Sequence, residues 1–479
     1  MAIPILTISQ MREWEQATWD AGRSESDVIA KVGVVLARRA LGVTQTDQTI
    51  LILAGKGHNG DDARAAVTHL SKRQVRLINV ADAQSALAEM QIQLEGVSLI
   101  IDGLCGIGIN RPLNEEWQRL IEAVKQSRIP VLSVAAPSGL DVDTGEVQGA
   151  AVRASVTLTV GAPKHGLLTA KAQPWVGRLE VAEDVGLIPC PITSEMRWIS
   201  AGDFFEFPPQ REVTGHKGTY GHLTIIAGSL GYHGAAVLAA RGALRARPGL
   251  VSVVTQENVF HPVAAQLQAA MVHPWRPQQK LPAATTAILF GPGLAAEGLS
   301  NVLKNELRGF WNESALPVVA DASALDWLPS GPIPKNPLRV ITPHPGEAAR
   351  LLKLTVNQVQ EDRPAALRTL SRRYGNCWVV LKGHQTLIGR NGGPIWINSS
   401  GNPYLAQGGS GDVLAGYLAG LLAQPQLTST PERTLIFAAW QHGASADFLN
   451  RNQKNWTIEE LVQALAAQPE ASGKQNYFP

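Results

Sequence analysis

The chain has 479 residues, 45% of them apolar and 17% charged, too long for one ordinary core and suited to two or more globular domains. A net charge of +2 without any basic run argues against a nucleic-acid partner, and three scattered cysteines (Cys105, Cys190, Cys377) suggest neither a disulfide framework nor a metal cluster. No apolar stretch is long enough to span a bilayer and the N-terminus lacks a basic region followed by an apolar one, so a soluble cytoplasmic protein with no membrane partner is expected.

Residues 7–41 read as helices, with Thr7 or Ser9 as the first cap and Val28, Ile29, Val32, Val35 and Leu36 marking one side of the second. An apolar strand, Thr49–Ala54, runs into Gly55-Lys56-Gly57-His58-Asn59-Gly60-Asp61-Asp62, and a helical pattern resumes over Ala63–Leu70. Strand, glycine turn and helix is the phosphate-binding geometry of doubly wound sheets, although a plain turn has the same pattern. No Gly-Lys-Ser/Thr ends it, so it is not a nucleotide P-loop. Further strands are expected at Val75–Val80, Val97–Ile101, Pro130–Ala135, Val156–Val160 and Leu179–Val181. Asp102, Pro137-Ser138-Gly139 and Pro163-Lys164-His165 stand at strand ends, where open parallel sheets bind ligands.

Pro189, Pro191, Pro208 and Pro209 interrupt a polar stretch over 189–215, which sets the expected domains at 1–205 and 212–479. The second domain alternates strands and helices again: Leu223–Ala227, the helix Ala235–Ala246, then Leu250–Thr255, Ala287–Phe290, Pro317–Ala320, Val340–Thr342, Trp378–Leu381 and Ile395–Ile397. Asp321 ends one strand, His344 lies between prolines after another, and Lys382-Gly383-His384-Gln385-Thr386 follows a third. His216, His222 and His233 have no recognisable ligand spacing, which argues against a structural zinc site. Gln407-Gly408-Gly409-Ser410-Gly411-Asp412 then opens an apolar small-residue helix, and Ile458–Leu465 closes the pattern. Glycines there let backbone N–H groups converge, and the helix start adds the positive end of its dipole, so the turn suits an anion. Asp412, in the first turn, suits removal of a proton from a hydroxyl that attacks a phosphoryl group. The competing reading is an Asp helix cap after a glycine turn.

His216-Lys217-Gly218, Gly291-Pro292-Gly293, Thr342-Pro343-His344-Pro345-Gly346-Glu347, Leu381-Lys382-Gly383, Gly408–Gly416, Asn402 and His442-Gly443, in this order along residues 212–450 apart from Asn402, resemble the ribokinase-like dehydratases of hydrated nicotinamide nucleotides. The resemblance implies an α/β ribokinase-like three-layer domain that converts (6S)-NADHX or NADPHX to NADH or NADPH, with ADP as co-substrate and Mg2+ on its phosphates. It assigns Asp412 as the base and Ala235, Gly293 and His344, with Asp412, to the hydrate. Lys382, Gly383, His384, Gln385, Thr386, Gly408, Gly409, Ser410 and Gly411 fall to the nucleotide. Arg247-Pro248 and Ser323 depart from the small residues and the aspartate usual there.

The first 200 residues resemble the epimerase partner often fused to that dehydratase, a Rossmann-like three-layer domain that interconverts the R and S hydrates. Gly55-Lys56-Gly57, Asn59-Gly60, Asp62, Asp102, Gly106, Gly108, Arg111-Pro112-Leu113 and Pro137-Ser138-Gly139-Leu140 carry the match. It implies hydrate contacts at Asn59, Gly106 and Arg111, potassium at Asn59, Asp102 and Ser138, and a homo-oligomer. Three positions depart: Asp61 replaces a glycine, and Ala135 and Ala30 replace acids. Two readings therefore remain, a bifunctional enzyme or a dehydratase carrying an inactive epimerase-like scaffold. A small-molecule kinase of the same fold is the further alternative.

Overall fold

The computed structural model describes residues 2–295, 297, 299–333, 337–453 and 455–465. They fall into two compact units, Ile3–Glu195 and Met196–Leu465.

In the first unit six parallel strands lie in the order Gln74–Asn79, Thr49–Ala54, Val97–Gly103, Val131–Val134, Val156–Val160, Arg178–Ala182. Successive side chains point to opposite faces, and both faces are covered. Ile50 and Ile52 pack with Val28, Val32 and Leu36 in one core, while Leu51 and Leu53 join Met90, Leu120 and Ile121 in the other. Burial on both sides is why Thr49–Ala54 is continuously apolar rather than alternating. From Thr49–Ala54 the chain goes first to one neighbour and then crosses to the other, Val97–Gly103. The turns after these two strands therefore flank the topological switch point.

In the second unit the sheet runs Met196–Trp198, Ile395–Ile397, Leu387–Gly389, Trp378–Leu381, Arg339–Ile341, Val318–Ala320, Ala287–Phe290, His222–Ile226, Leu250–Thr255, Met271–Pro274. Its switch point lies between His222–Ile226 and Ala287–Phe290. Val318–Ala320, Arg339–Ile341 and Trp378–Leu381 are adjacent and parallel, so the residues that follow each come out at one end of the sheet. Helix Ser410–Leu422 is buried along nearly its whole length against helix His233–Ala246. The two backbones touch: a Cβ on Gly416 would lie 1.8 Å from the Ala239 carbonyl oxygen, and one on Gly242 2.4 Å from that of Val413.

Three expectations are corrected. Residues 196–205 belong to the second unit, because Met196–Trp198 pairs with Ile395–Ile397 and Phe204 packs on Phe437. Helix His58–Ala66 starts inside the glycine turn, capped at Gly57 (φ 88°), which puts Asn59, Asp61 and Asp62 in its opening turns. Strands Met196–Trp198, Met271–Pro274 and Leu387–Gly389 add to those expected. Among the described residues no helix is long and apolar enough to cross a membrane.

Candidate active site

The site in the second unit is assembled at the carboxyl end of its sheet. Gly409 caps helix Ser410–Leu422 with φ 95°, and no side chain bonds the first-turn N–H groups. The competing reading of Asp412 as the cap is thereby excluded, since it sits within the first turn and the cap is glycine. The Ser410 N–H is taken by the Gln407 carbonyl at 3.3 Å, and the N–H groups of Gly411 and Asp412 with the helix dipole favour an anion there. Nothing lies within 4 Å of where a Cβ on Gly408 would be, so the turn is open at that residue.

Asp412 is half-buried. Burial pushes its carboxyl up to about 7, Asp321 and Glu347 push the same way, and Lys382 opposes them. The Lys382 ammonium donates to Asp321 Oδ1 at 2.9 Å and lies 4.0 Å from Glu347 Oε2. It also sits over the helix entry, 3.3 Å from the position a Cβ on Gly411 would take. Thus Lys382, expected on the nucleotide, is turned onto a carboxylate beside the glycine turn. The loop after it is braced by a residue that sequence reasoning missed: buried Arg363 donates to the carbonyls of Leu381 (3.1 Å), Lys382 (3.4 Å), Gln385 (3.3 Å) and His384. Gly383 (φ 129°) and Gln385 (φ 52°) take left-handed backbone in this loop, and the Thr386 hydroxyl closes it on the Gly383 carbonyl at 3.1 Å.

His344 caps helix Pro345–Leu352 through Nδ1, which accepts from Gly346 N at 3.0 Å, and its ring is 51% exposed at the site rim. Ala235 and Gly293 come together across the switch point, where a Cβ on Gly293 would lie 3.0 Å from that of Ala235. Gly228 N–H donates to the Pro292 carbonyl at 2.9 Å and the Ser229 hydroxyl to that of Gly293 at 2.6 Å, which fixes the two turns against each other. Asn402 and His442-Gly443 have a packing reason. A Cβ on Gly443 would meet Ser400 Oγ at 2.3 Å, and Asp447 accepts from Gly401 N at 3.0 Å and Asn402 Nδ2 at 3.1 Å. Helix Pro431–Asn452 thereby holds the loop that leads to the glycine turn.

In the first unit Asp102 is fully buried and accepts from Ser138 Oγ (2.6 Å), Ser133 Oγ (2.8 Å), Ser138 N (2.9 Å) and Leu104 N (3.3 Å). Burial pushes its carboxyl up, and these bonds oppose it. Asn59 is buried beside Gly106, and neither atom of its amide has a partner. Arg111 is exposed. An open cleft of about 520 Å³ is lined by Arg12, Glu13, Gly108, Asn110 and Asp143 among others, and shares none of the expected contact residues. Asp61 pairs with Arg64 at 2.8 Å, so its charge is partly met. Its neighbour Asp62 is pushed up to about 8, by burial first and then by Asp61. Buried Lys164, at one of the strand ends named above, is pushed down to about 8 by burial, and burial pushes Glu15 up while the Lys164 charge opposes it. Ala135 holds φ 60° at the end of its strand, a conformation that asparagine and aspartate tolerate better than alanine.

A parallel sheet that presents a glycine-capped helix, a buried acid and an anchored lysine at one end defines a ribokinase-like phosphoryl-handling unit, here following a Rossmann-like one. The family model for NAD(P)H-hydrate dehydratase matches residues 223–467, and that for the YjeF-related protein N-terminus matches residues 77–166. The bifunctional NAD(P)H-hydrate repair enzyme Nnr of Coxiella burnetii is 33% identical over 91% of this chain and 93% of its own. The enzyme of the same name from Gloeobacter violaceus is 33% identical over 98% of each chain. A ribokinase-like superfamily protein of Enterococcus faecalis superposes with a TM-score of 0.50 at 25% identity, over 58% of this chain and 97% of that one. The chain belongs to the bifunctional NAD(P)H-hydrate repair enzymes.

Proposed function

We infer that the second unit dehydrates the S form of hydrated NADH or NADPH at the expense of ADP. Asp412 takes the proton of the ring hydroxyl, whose oxygen attacks the terminal phosphoryl group of ADP, and AMP leaves. The phosphate ester then eliminates inorganic phosphate as the ring loses a proton, and the double bond of the dihydropyridine returns. The observation that carries this reading is the placement of a half-buried acid, pushed up to about 7, in the first turn of a helix whose glycine cap makes no side-chain hydrogen bond. An acid raised to about 7 is ionised in a substantial fraction of molecules at neutral pH, and in that form it accepts a proton readily, while the N–H groups beside it hold charge on the phosphoryl oxygens. Ala235, Gly293 and His344 line the side from which the hydrate approaches, and the Arg363-braced loop from Lys382 to Thr386 takes the nucleotide. Among the described residues no group of three or more His, Cys, Asp or Glu is arranged to hold a metal. Magnesium would accompany the nucleotide's phosphates and neutralise their charge.

For the first unit, a potassium ion fits at Asn59, Asp102 and Ser138, because Asn59 leaves a buried carbonyl oxygen without a partner. The ion would supply a fixed positive charge beside the substrate. Ala135 removes the acid expected at the neighbouring strand end, and this favours weakened isomerisation of the hydrates.

Incubating the protein with ADP, Mg2+ and S hydrate tests the main reading. It expects phosphate and reduced dinucleotide to form in equal amounts, and phosphate transfer to small alcohols without dehydration would establish a kinase instead. R hydrate incubated with Asp412→Ala tests the first unit, where conversion to S well above the spontaneous rate would sink the weakened reading.

A further inference from the structure

Asp321, Glu347 and Lys382 follow adjacent parallel strands, and the three side chains meet where those strands end. Asp321 is the fixed member. Its side chain is 2% exposed, and Oδ1 accepts from both Lys382 Nζ at 2.9 Å and the Thr342 hydroxyl at 2.5 Å. A carboxylate held by two donors in a dry setting cannot swing away with its partner. The ammonium it holds lies over Gly411, in the first turn of the Asp412 helix.

We propose that Asp321 is a positioning residue for the dehydration: it anchors the Lys382 ammonium over Gly411, between Asp412 and the place where the helix start receives a phosphoryl group. This rests on the dehydratase reading above. A lysine serving the nucleotide alone needs no buried anchor, since a long flexible side chain would follow the phosphate from solvent. Anchored, it meets the phosphoryl group already in place, and it screens Asp412 from two neighbouring acids.

The charged and titratable groups around Asp412 are Lys382, Asp321 and Glu347. Beyond them His344 lies against Glu347, with Nε2 3.4 Å from Oε1. His442, on helix Pro431–Asn452, is buried and held neutral by that burial. Helix His233–Ala246 brings the buried alanines Ala236, Ala239, Ala240 and Ala243 toward the Asp412 helix. Removing the charge of Asp321 acts twice in one direction. One anion near Asp412 is lost, and the released ammonium is free to close on the carboxylate. Both favour the ionised form.

The test is the pH profile of kcat at saturating ADP, Mg2+ and S hydrate for the whole chain and for Asp321→Asn, Asp321→Glu and Lys382→Gln. The wild-type profile is expected to fall on the acid side near pH 7, in keeping with a carboxyl raised to about 7. Asp321→Asn moves that limb down by about one pH unit and lowers the plateau, and Asp321→Glu returns the limb toward wild type. Lys382→Gln moves it the other way, which keeps the test decisive if Asp321→Asn does not fold. A limb that stays in place while Asp321→Asn loses rate, or while it needs more Mg2+, overturns the assignment and makes Asp321 a packing or metal-side residue. A wild-type protein that forms no reduced dinucleotide with ADP refutes the dehydratase reading itself, and the role of Asp321 with it.

Discussion

Gly416→Ala probes the step by which packing becomes catalysis. The Asp412 helix and helix His233–Ala246 touch backbone to backbone, and a Cβ on Gly416 would stand 1.8 Å from the Ala239 oxygen and 2.6 Å from its carbonyl carbon. Backbone cannot yield as a side-chain tip does, so restoring a contact of about 3.0 Å parts the helices by about 1.2 Å. Overfilling of this kind costs about 1–3 kcal/mol. Gly416 lies one turn beyond Asp412, so the same displacement reaches the reaction centre, where about 1 Å of misplacement lowers rates by up to ~100-fold. Urea unfolding and kcat for ADP-dependent dehydration, measured on one preparation, read both effects. Gly309→Ala is the control: it lies on helix Asn301–Glu313 with nothing within 4 Å of the added Cβ, and is expected to stabilise slightly through helix propensity. A Gly416→Ala protein within about 0.5 kcal/mol of wild type and with full kcat refutes the argument.

Two predictions address other parts of the chain. Burial pushes His442 from 6.5 down to about 4. The unfolded chain therefore binds that proton more readily than the folded one. Its contribution to stability is fully present above pH 6.5 and is lost as pH falls toward about 4, and amounts to about 2 kcal/mol between pH 7.5 and 5. His442→Gln should flatten that part of the pH dependence in urea unfolding; an unchanged slope would place the acid sensitivity elsewhere. In the first unit, Ala135→Asp puts back an acid at a residue with φ 60°, which aspartate accepts. R-to-S conversion, followed by chromatography of the two hydrates, is expected to rise above that of the parent protein, and an unchanged rate would show that Ala135 is not what limits this unit.

Much of the fold was legible because parallel strands buried on both faces read as short continuous apolar runs. Thr49–Ala54, Val156–Val160, Ala287–Phe290, Trp378–Leu381 and Ile395–Ile397 lie where the pattern put them. Met271–Pro274 was not legible: Met271 is 41% exposed and the strand ends in proline, so neither burial nor composition marks it. Leu387–Gly389 is three residues of an antiparallel turn-back, too short for any period to show. The Asp412 turn was readable locally, because glycine, helix start and acid are contiguous. The Asp321–Lys382 pair was not, since its members are 61 residues apart and meet only because their strands are neighbours in the sheet. Arg363 was hidden for a similar reason, as its role lies in carbonyls of a loop 18 to 22 residues away. Glycine meanwhile has two separate causes in this chain. Gly409 takes a left-handed φ, whereas Gly55 and Gly416 are needed for close backbone approach, to Leu104 and Ala239 respectively.

The central claim is that Asp412 removes the proton that starts dehydration. Asp412→Asn keeps the size and the helix position of the side chain and takes away the base. With S hydrate, ADP and Mg2+ saturating, formation of reduced dinucleotide is predicted to fall by at least ~100-fold, while ADP still stabilises the protein against urea. Turnover within a few-fold of wild type would contradict the account.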